Sequence, residues 1–294
     1  MTKPLKIFLL ISLTWCIILT GCSNSTSTSY KDKNSKPVIA VSIVPEETFV
    51  KAVAGNLVDI VTMIPPGKSP TNYQPTPELL EDFSDASIYF TIGVPTEKDN
   101  ILPKAKDFNK NLKIIDLSKK VSGTYKDRKF TSGGRDPHIW LSPKRVEIMI
   151  NSIKDELSNI DPQNKDIYSK NAKAYIKNLN TLDKNIKTTL NNVVNKTFII
   201  YHPSLGYFAD DYGLNMLTLE QNGKEATPQD MQNLINKAKQ NNIKVIFYQA
   251  EVDSKQCSAF AESINGETEK VNPLDGNYIE NMKKIAHTFS KTIK

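Results

Sequence analysis

From Asn164 to Asn195 the chain runs without a glycine or proline, and one line of apolar residues repeats through it with helical spacing. Tyr168, Ala172, Tyr175, Leu179, Leu182, Ile186, Leu190 and Val193 follow at intervals of 4, 3, 4, 3, 4, 4 and 3 residues. Side chains three or four residues apart share one face of an α-helix, so the pattern predicts a single long helix with one buried stripe. At 1.5 Å per residue, roughly 30 residues reach about 45 Å. That is longer than one lobe needs. Two arrangements use such a rod: a spine across two lobes, or a coiled-coil dimerisation helix. The spine is preferred, because strand–helix alternation precedes the rod and restarts directly after it.

Before the rod, VIAVSI (38–43), VDIVTMI (58–64), IYFTI (88–92) and KIID (113–116) read as buried strands. Helical segments EETFVKAVA (46–54) and PELLEDFS (77–84) lie among them, a polar loop spans 118–135, and a helix covers 142–157. After it, TFIIY (197–201), NMLTL (215–219), KVIFYQ (244–249) and TEKV (268–271) are strands, separated by helices over LGYFADDYG, 227–242 and 254–264 and closed by one over 278–293. Thr227 is placed to cap the second of these helices, with Pro228 in its first turn. β-branched runs alternating with helices predict an α/β fold of two Rossmann-like lobes, each with a parallel sheet and right-handed crossovers. The expected divisions are a signal at 1–21, a tether at 22–36, a first lobe at 37–162, the spine at 163–195 and a second lobe at 196–294.

The first segment carries Lys3 and Lys6, the apolar run IFLLISLTWCII, and then Leu19-Thr20-Gly21-Cys22. The run is too short for a stable transmembrane helix and reads as a secretory signal. The ending L-T-G-C resembles the lipobox of bacterial lipoproteins, in which cleavage leaves a lipid-modified Cys22 as the new N-terminus. The expectation is an exported monomer held by lipid at the outer face of the cytoplasmic membrane; an ordinary cleaved signal is the alternative. Residues 24–36, NSTSTSYKDKNSK, have no apolar face and read as a flexible tether. With Cys16 removed and Cys22 modified, Cys257 is the only thiol and no internal disulfide can form. The formal charge of +6 comes from lysines dispersed among carboxylates, so nucleic acid is not an expected partner.

Chemistry concentrates on two of the three histidines. His138 lies in DPHIWLSP, and His202 ends the strand TFIIYH; ligands of open α/β sheets gather at such strand ends. Taken alone, a histidine in such a position is more often a satisfied structural group than a ligand. His287, on the closing helix, is a lesser candidate. Other strand ends offer oxygen donors: the run 65–73 with Thr71, Gln249 to Glu251, and Asn272 to Asp275. Two imidazoles with carboxylate or amide oxygens suit zinc or a similar divalent ion. Asn272, Pro273, Asp275 and Gly276 are also a turn-forming set. There is no G-x-S-x-G, P-loop, H-E-x-x-H or C-x-x-C, so an enzyme is not expected.

These segments, in order, resemble the metal-binding solute receptors of bacterial ABC transporters, the zinc and manganese cluster. PPGKSPTNYQPTP is similar to the family's P-G-x-x-P-H-x-Y-E-P-T-P loop, and DPHIWLSP to its D-P-H-x-W-L-x-P segment. YHPSLGYFADDYGL, GKEATPQDM and VNPLDGNYIENM resemble its later motifs, and the spine helix is a family feature. The resemblance implies a receptor that holds Zn²⁺, with Mn²⁺ or another divalent ion as alternative, between its lobes and hands it to a cognate ABC permease. His138 and His202 fall on two of the four ligand positions, and histidine at 202 is the zinc-type choice. Thr71 and Asn272 stand where a histidine and an aspartate belong; Gln74 and Gln249 replace glutamates. Glu251, Asp275 and Glu225 are the candidate replacement carboxylates, with Thr71, Asn272 and Gln249 expected around the same pocket. The alternative reading is a divergent paralogue that binds a non-metal solute or serves as a surface interaction or adhesion module.

Overall fold

Eight short strands form two all-parallel four-stranded sheets in the computed structural model, which describes residues 36–220, 224–251 and 255–293. The signal, Cys22 and all of the tether except Lys36 lie outside the described residues. The first sheet is built from β1 (Val38–Val41), α1 (Val44–Ala54), β2 (Asp59–Thr62), α2 (Pro77–Ser84), β3 (Ile88–Thr91), α3 (Leu102–Phe108), β4 (Lys113–Asp116) and α4 (Leu117–Ser122). Then come α5 (Pro143–Ile160) and α6 (Lys165–Leu190). The second sheet is built from β5 (Thr197–Ile200), α7 (Gly206–Tyr212), β6 (Asn215–Thr218), α8 (Pro228–Gln240), β7 (Val245–Gln249), α9 (Lys255–Ser263), β8 (Glu267–Val271) and α10 (Tyr278–Thr292). Strand orders are β2-β1-β3-β4 and β6-β5-β7-β8, so both halves repeat one topology. In each, the chain reverses direction across the sheet between its first and third strands, the place where a crevice opens at the strand carboxyl ends.

Both faces of each sheet are covered, and the period of two assigns the side chains. Ile39, Val41, Ile88 and Phe90 face the central core; Ala40 and Tyr89 face a second cluster with Met63, Phe83 and Leu112. In the other half Phe198, Ile200 and Phe247 join the central core, while Ile199 and Ile246 pack outward on Phe260 and Leu234. One continuous core therefore passes from the first sheet through α1, α5, α6 and α10 into the second.

The apolar stripe of α6 is used inside the chain. Tyr168, Ala172, Leu179, Leu182, Ile186 and Leu190 are buried, packed among α1, α5 and α10, so no face remains for a coiled-coil partner. The helix is 26 residues long and stops at Leu190, short of Asn195. Asn191 and Asn192 turn the chain there, as their side chains favour, and Lys196 Nζ donates to the freed Leu190 carbonyl at 3.0 Å. Val193 is still buried, but from the turn. The loop expected over 118–135 starts as helix α4, because Asp116 at the end of β4 caps Lys119 N at 3.1 Å. A π turn, Glu97–Ile101, leads into α3 where no helix was expected; Pro103 sits harmlessly in its first turn. Thr227 caps α8 by accepting from Asp230 N at 3.2 Å, with Pro228 following it as expected.

Candidate metal centre

A cavity of about 1170 Å³ opens at the carboxyl ends of both sheets, with Gly93 and Val94 beyond β3 on one side and His202 beyond β5 on the other. Polar contacts beside it join the two halves of the chain. Trp140 Nε1 donates to the Pro273 carbonyl at 2.9 Å, and Tyr278 OH donates to the Trp140 carbonyl at 2.8 Å. Arg145 on α5 pairs with Asp211 on α7 at 2.8 Å, and Thr48 Oγ1 donates to the Gly276 carbonyl at 2.6 Å.

His138 sits in an Asx turn made by Asp136, whose Oδ1 accepts from His138 N at 3.0 Å and lies 2.8 Å from the ring Nδ1. Asp136 is wholly buried. Arg128 Nη1 stands 3.5 Å from its other oxygen, and Tyr207 OH donates to its backbone carbonyl at 3.2 Å while accepting from Arg128 N at 2.9 Å. Gly206, which starts α7, makes room for this arrangement. A Cβ there would meet Arg128 at 2.5 Å and Asp136 Oδ2 at 2.7 Å. Burial pushes the His138 imidazole below the usual histidine range, against the opposing hydrogen bond and charge of Asp136.

His202 follows β5, and its Nδ1 faces both oxygens of Glu220, at 3.0 and 2.9 Å. Glu220 reaches it because β6 pairs with β5, and Glu220 N donates to the Tyr201 carbonyl at 2.9 Å. A carboxylate at each Nδ1 favours the tautomer that carries its proton there, which would leave Nε2 free as a donor to a metal. The two Nε2 atoms stand 3.3 Å apart, with the rings nearly perpendicular at 77°. A tetrahedral zinc with Zn–N of about 2.0–2.1 Å holds two nitrogens about 3.3–3.4 Å apart. The imidazole pair fits such an ion.

The other expected residues are placed differently. Thr71, Gln249 and Glu251 line the same cavity. Gln249 is buried and donates to Ser204 Oγ, while Glu251 has a buried carboxylate oxygen, Oε2, without a partner. Asn272, Asp275 and Glu225 are not in the cavity wall. Asn272 Oδ1 accepts from Leu274 N at 3.3 Å and its amide faces Asp275 at 3.4 Å; Asp275 accepts from Asn277 N at 2.8 Å, so both build the turn before α10. Glu225 accepts from Gln256 at 3.3 Å on the exposed surface. His287 lies on α10, away from the cavity wall. Among the described residues, no group of three His, Cys, Asp or Glu converges on one point.

Sequence reading did not single out the residues that aim the rings, Asp136, Glu220, Arg128 and Tyr207. Asp136 had a local signal, standing two residues before His138 in D-P-H. Glu220 had none, because its nearness to His202 depends on which strand lies beside β5. Two buried glutamates were also missed. Glu46 Oε2 accepts from Ser42 N and Ile43 N at 3.0 and 3.1 Å, and Glu97 accepts from Ile92 N and Gly93 N at 2.8 and 2.7 Å. They shape the loops leaving β1 and β3. Burial drives both carboxyls upward, Glu97 to about 7.

Comparison with known proteins agrees with this architecture. The family described as ZnuA, zinc-uptake complex component A, periplasmic, matches residues 39–292. The high-affinity zinc uptake system protein ZnuA of Bacillus subtilis is 28% identical over 276 residues, covering 88% of this chain and 86% of that protein. The manganese ABC transporter substrate-binding lipoprotein PsaA of Streptococcus mitis is 28% identical over 259 residues, covering 85% and 83%. A crystal structure of ZnuA superposes with a TM-score of 0.83 at 32% identity, over 88% of this chain and all of that one. The overall fold is thus shared with that ZnuA structure, and this chain belongs to the ZnuA family of metal-uptake solute-binding proteins.

Proposed function

We propose that the protein captures a divalent metal ion, zinc foremost, between His138 and His202 and delivers it to the permease of an ABC importer. Family membership makes it the metal-binding, non-enzymatic component of a zinc or manganese uptake system. The observation that carries the choice of ligands is the 3.3 Å approach of two Nε2 atoms whose Nδ1 partners are carboxylates. Zinc is favoured over manganese because two imidazoles are borderline-soft donors, whereas manganese prefers an oxygen-rich set. Glu251, with its unpartnered oxygen in the same cavity, is the protein carboxylate best placed to add to the pair.

The proposed working form is a monomer tethered outside the cytoplasmic membrane through lipid on Cys22, with residues 37–162 and 196–294 as lobes and 163–195 as the spine. PsaA of Streptococcus mitis is itself a lipoprotein. The continuous core and unbroken α6 favour small closing motions over a wide hinge. Zinc titration of the metal-stripped protein by calorimetry tests the reading. One ion should bind per chain, and His138→Ala with His202→Ala should abolish it; stoichiometric binding that survives both substitutions would overturn the assignment.

A further inference from the structure

We infer that the natural cargo is a metal chelate, a divalent ion already held by a small anionic molecule with carboxylate donors. This rests on His138 and His202 being metal ligands, and goes further in naming what fills the remaining coordination positions. The first argument is coordination. Two imidazole nitrogens occupy two positions, and among the described residues no third His, Cys, Asp or Glu completes a cluster with them. A tetrahedral ion has four positions and an octahedral one six, so even with Glu251 added to the pair at least one is left for the cargo's own donors.

The second argument is space. The Nε2 atoms already stand at ligation distance, so the surrounding volume is not the gape of two halves waiting to meet an ion. A water occupies about 30 Å³, so an ion with its waters needs a small part of the 1170 Å³ present. Cavities of several hundred Å³ and more are the size that takes organic molecules.

The third argument is charge. The wall carries five Lys or Arg against four Asp or Glu, a difference of about +1, and one of those carboxylates, Glu220, is engaged by His202. A surface built to collect a bare dication would be expected to carry an excess of carboxylates. Lys98, Lys129 and Lys237 lie in the wall and form no ion pair with a described carboxylate, and Arg135 has a buried Nη2 donor without an acceptor. Those groups suit the carboxylates of a chelator, which also neutralise the ion.

Native mass spectrometry and calorimetry on the metal-stripped full chain test the inference with four probes: zinc chloride, zinc nitrilotriacetate, zinc citrate and citrate alone. A ternary complex of protein, zinc and chelator is expected. Lys98→Gln, Lys129→Gln and Lys237→Gln together should weaken binding of zinc nitrilotriacetate about tenfold without weakening zinc chloride. If the protein strips zinc from both chelators and retains the ion alone, or if the triple variant binds the chelate normally, the inference falls and the metal-receptor reading stands. If citrate binds without zinc and independently of His138 and His202, the inference falls and the metal-receptor reading stands; if no zinc species binds, both fall.

Discussion

Replacing Asp136 by asparagine changes one atom and should weaken zinc binding by about 10- to 100-fold. The carboxylate is wholly buried, 2.8 Å from His138 Nδ1, and also faces Arg128 Nη1 at 3.5 Å. An asparagine can keep its oxygen toward Nδ1, but then its NH₂ points at the guanidinium, donor against donor. If it flips, the NH₂ faces Nδ1 and forces the ring proton onto Nε2, where it blocks the metal. In the better rotamer a charge-assisted hydrogen bond of about 1.5–3 kcal/mol becomes a neutral one of about 0.5–1.5. The loss of roughly 1–2 kcal/mol is about 5- to 30-fold in Kd, and the unfavourable contact with Arg128 adds to it. Calorimetric zinc titration at pH 7.5 gives the number, and thermal unfolding confirms that the fold persists. Because Asp136 acts through His138, the substitution should have no further effect once His138 is alanine. A Kd within twofold of the parent protein, or full additivity with His138→Ala, would refute the reasoning.

Zinc affinity should fall as pH drops below about 6, because protons compete for the imidazoles; calorimetry between pH 5 and 8 checks this. Burial holds His138 below the ordinary histidine range, so protons compete for that ring less than for an exposed one. Gly206→Ala should cost about 1–3 kcal/mol and weaken zinc binding, since the added methyl displaces Arg128 and Asp136; denaturant unfolding and metal titration read the two effects. Leu182→Ala, in the buried stripe of α6, should destabilise by about 2–5 kcal/mol in denaturant melts while leaving zinc stoichiometry at one. The thermal midpoint should decline as pH rises through about 7. Glu97 binds its proton more tightly folded than unfolded, so its contribution is complete below the unfolded carboxyl range and is lost as the buried group ionises; Glu97→Gln should flatten that slope.

Most elements were legible because hydrophobic period and chain punctuation agreed. The strands are short β-branched runs, and the α6 stripe permits only a helix. What failed to show were segments whose stability comes from context. Helix α3 is short and has few apolar residues, and it forms because Leu102 and Ala105, with the flanking Ile101 and Leu112, pack against Phe83 and Tyr89. Helix α4 is decided by one capping bond from Asp116. The two histidines stood out because one ends a strand and both break an otherwise histidine-poor sequence. Their partners did not, since Glu220 is eighteen residues from His202 and reaches it only through strand order. Asn272 and Asp275 looked like oxygen donors, yet their side chains are committed to the turn before α10.

X-ray absorption at the zinc edge of the loaded protein is the most direct test of whether a paired imidazole holds the ion. The spectrum should contain the multiple-scattering signature of two histidine rings with zinc–nitrogen distances of about 2.0–2.1 Å, and that signature should vanish in the His138→Ala, His202→Ala variant. A first shell of oxygens alone, or a histidine signature unchanged by the double substitution, would contradict the account.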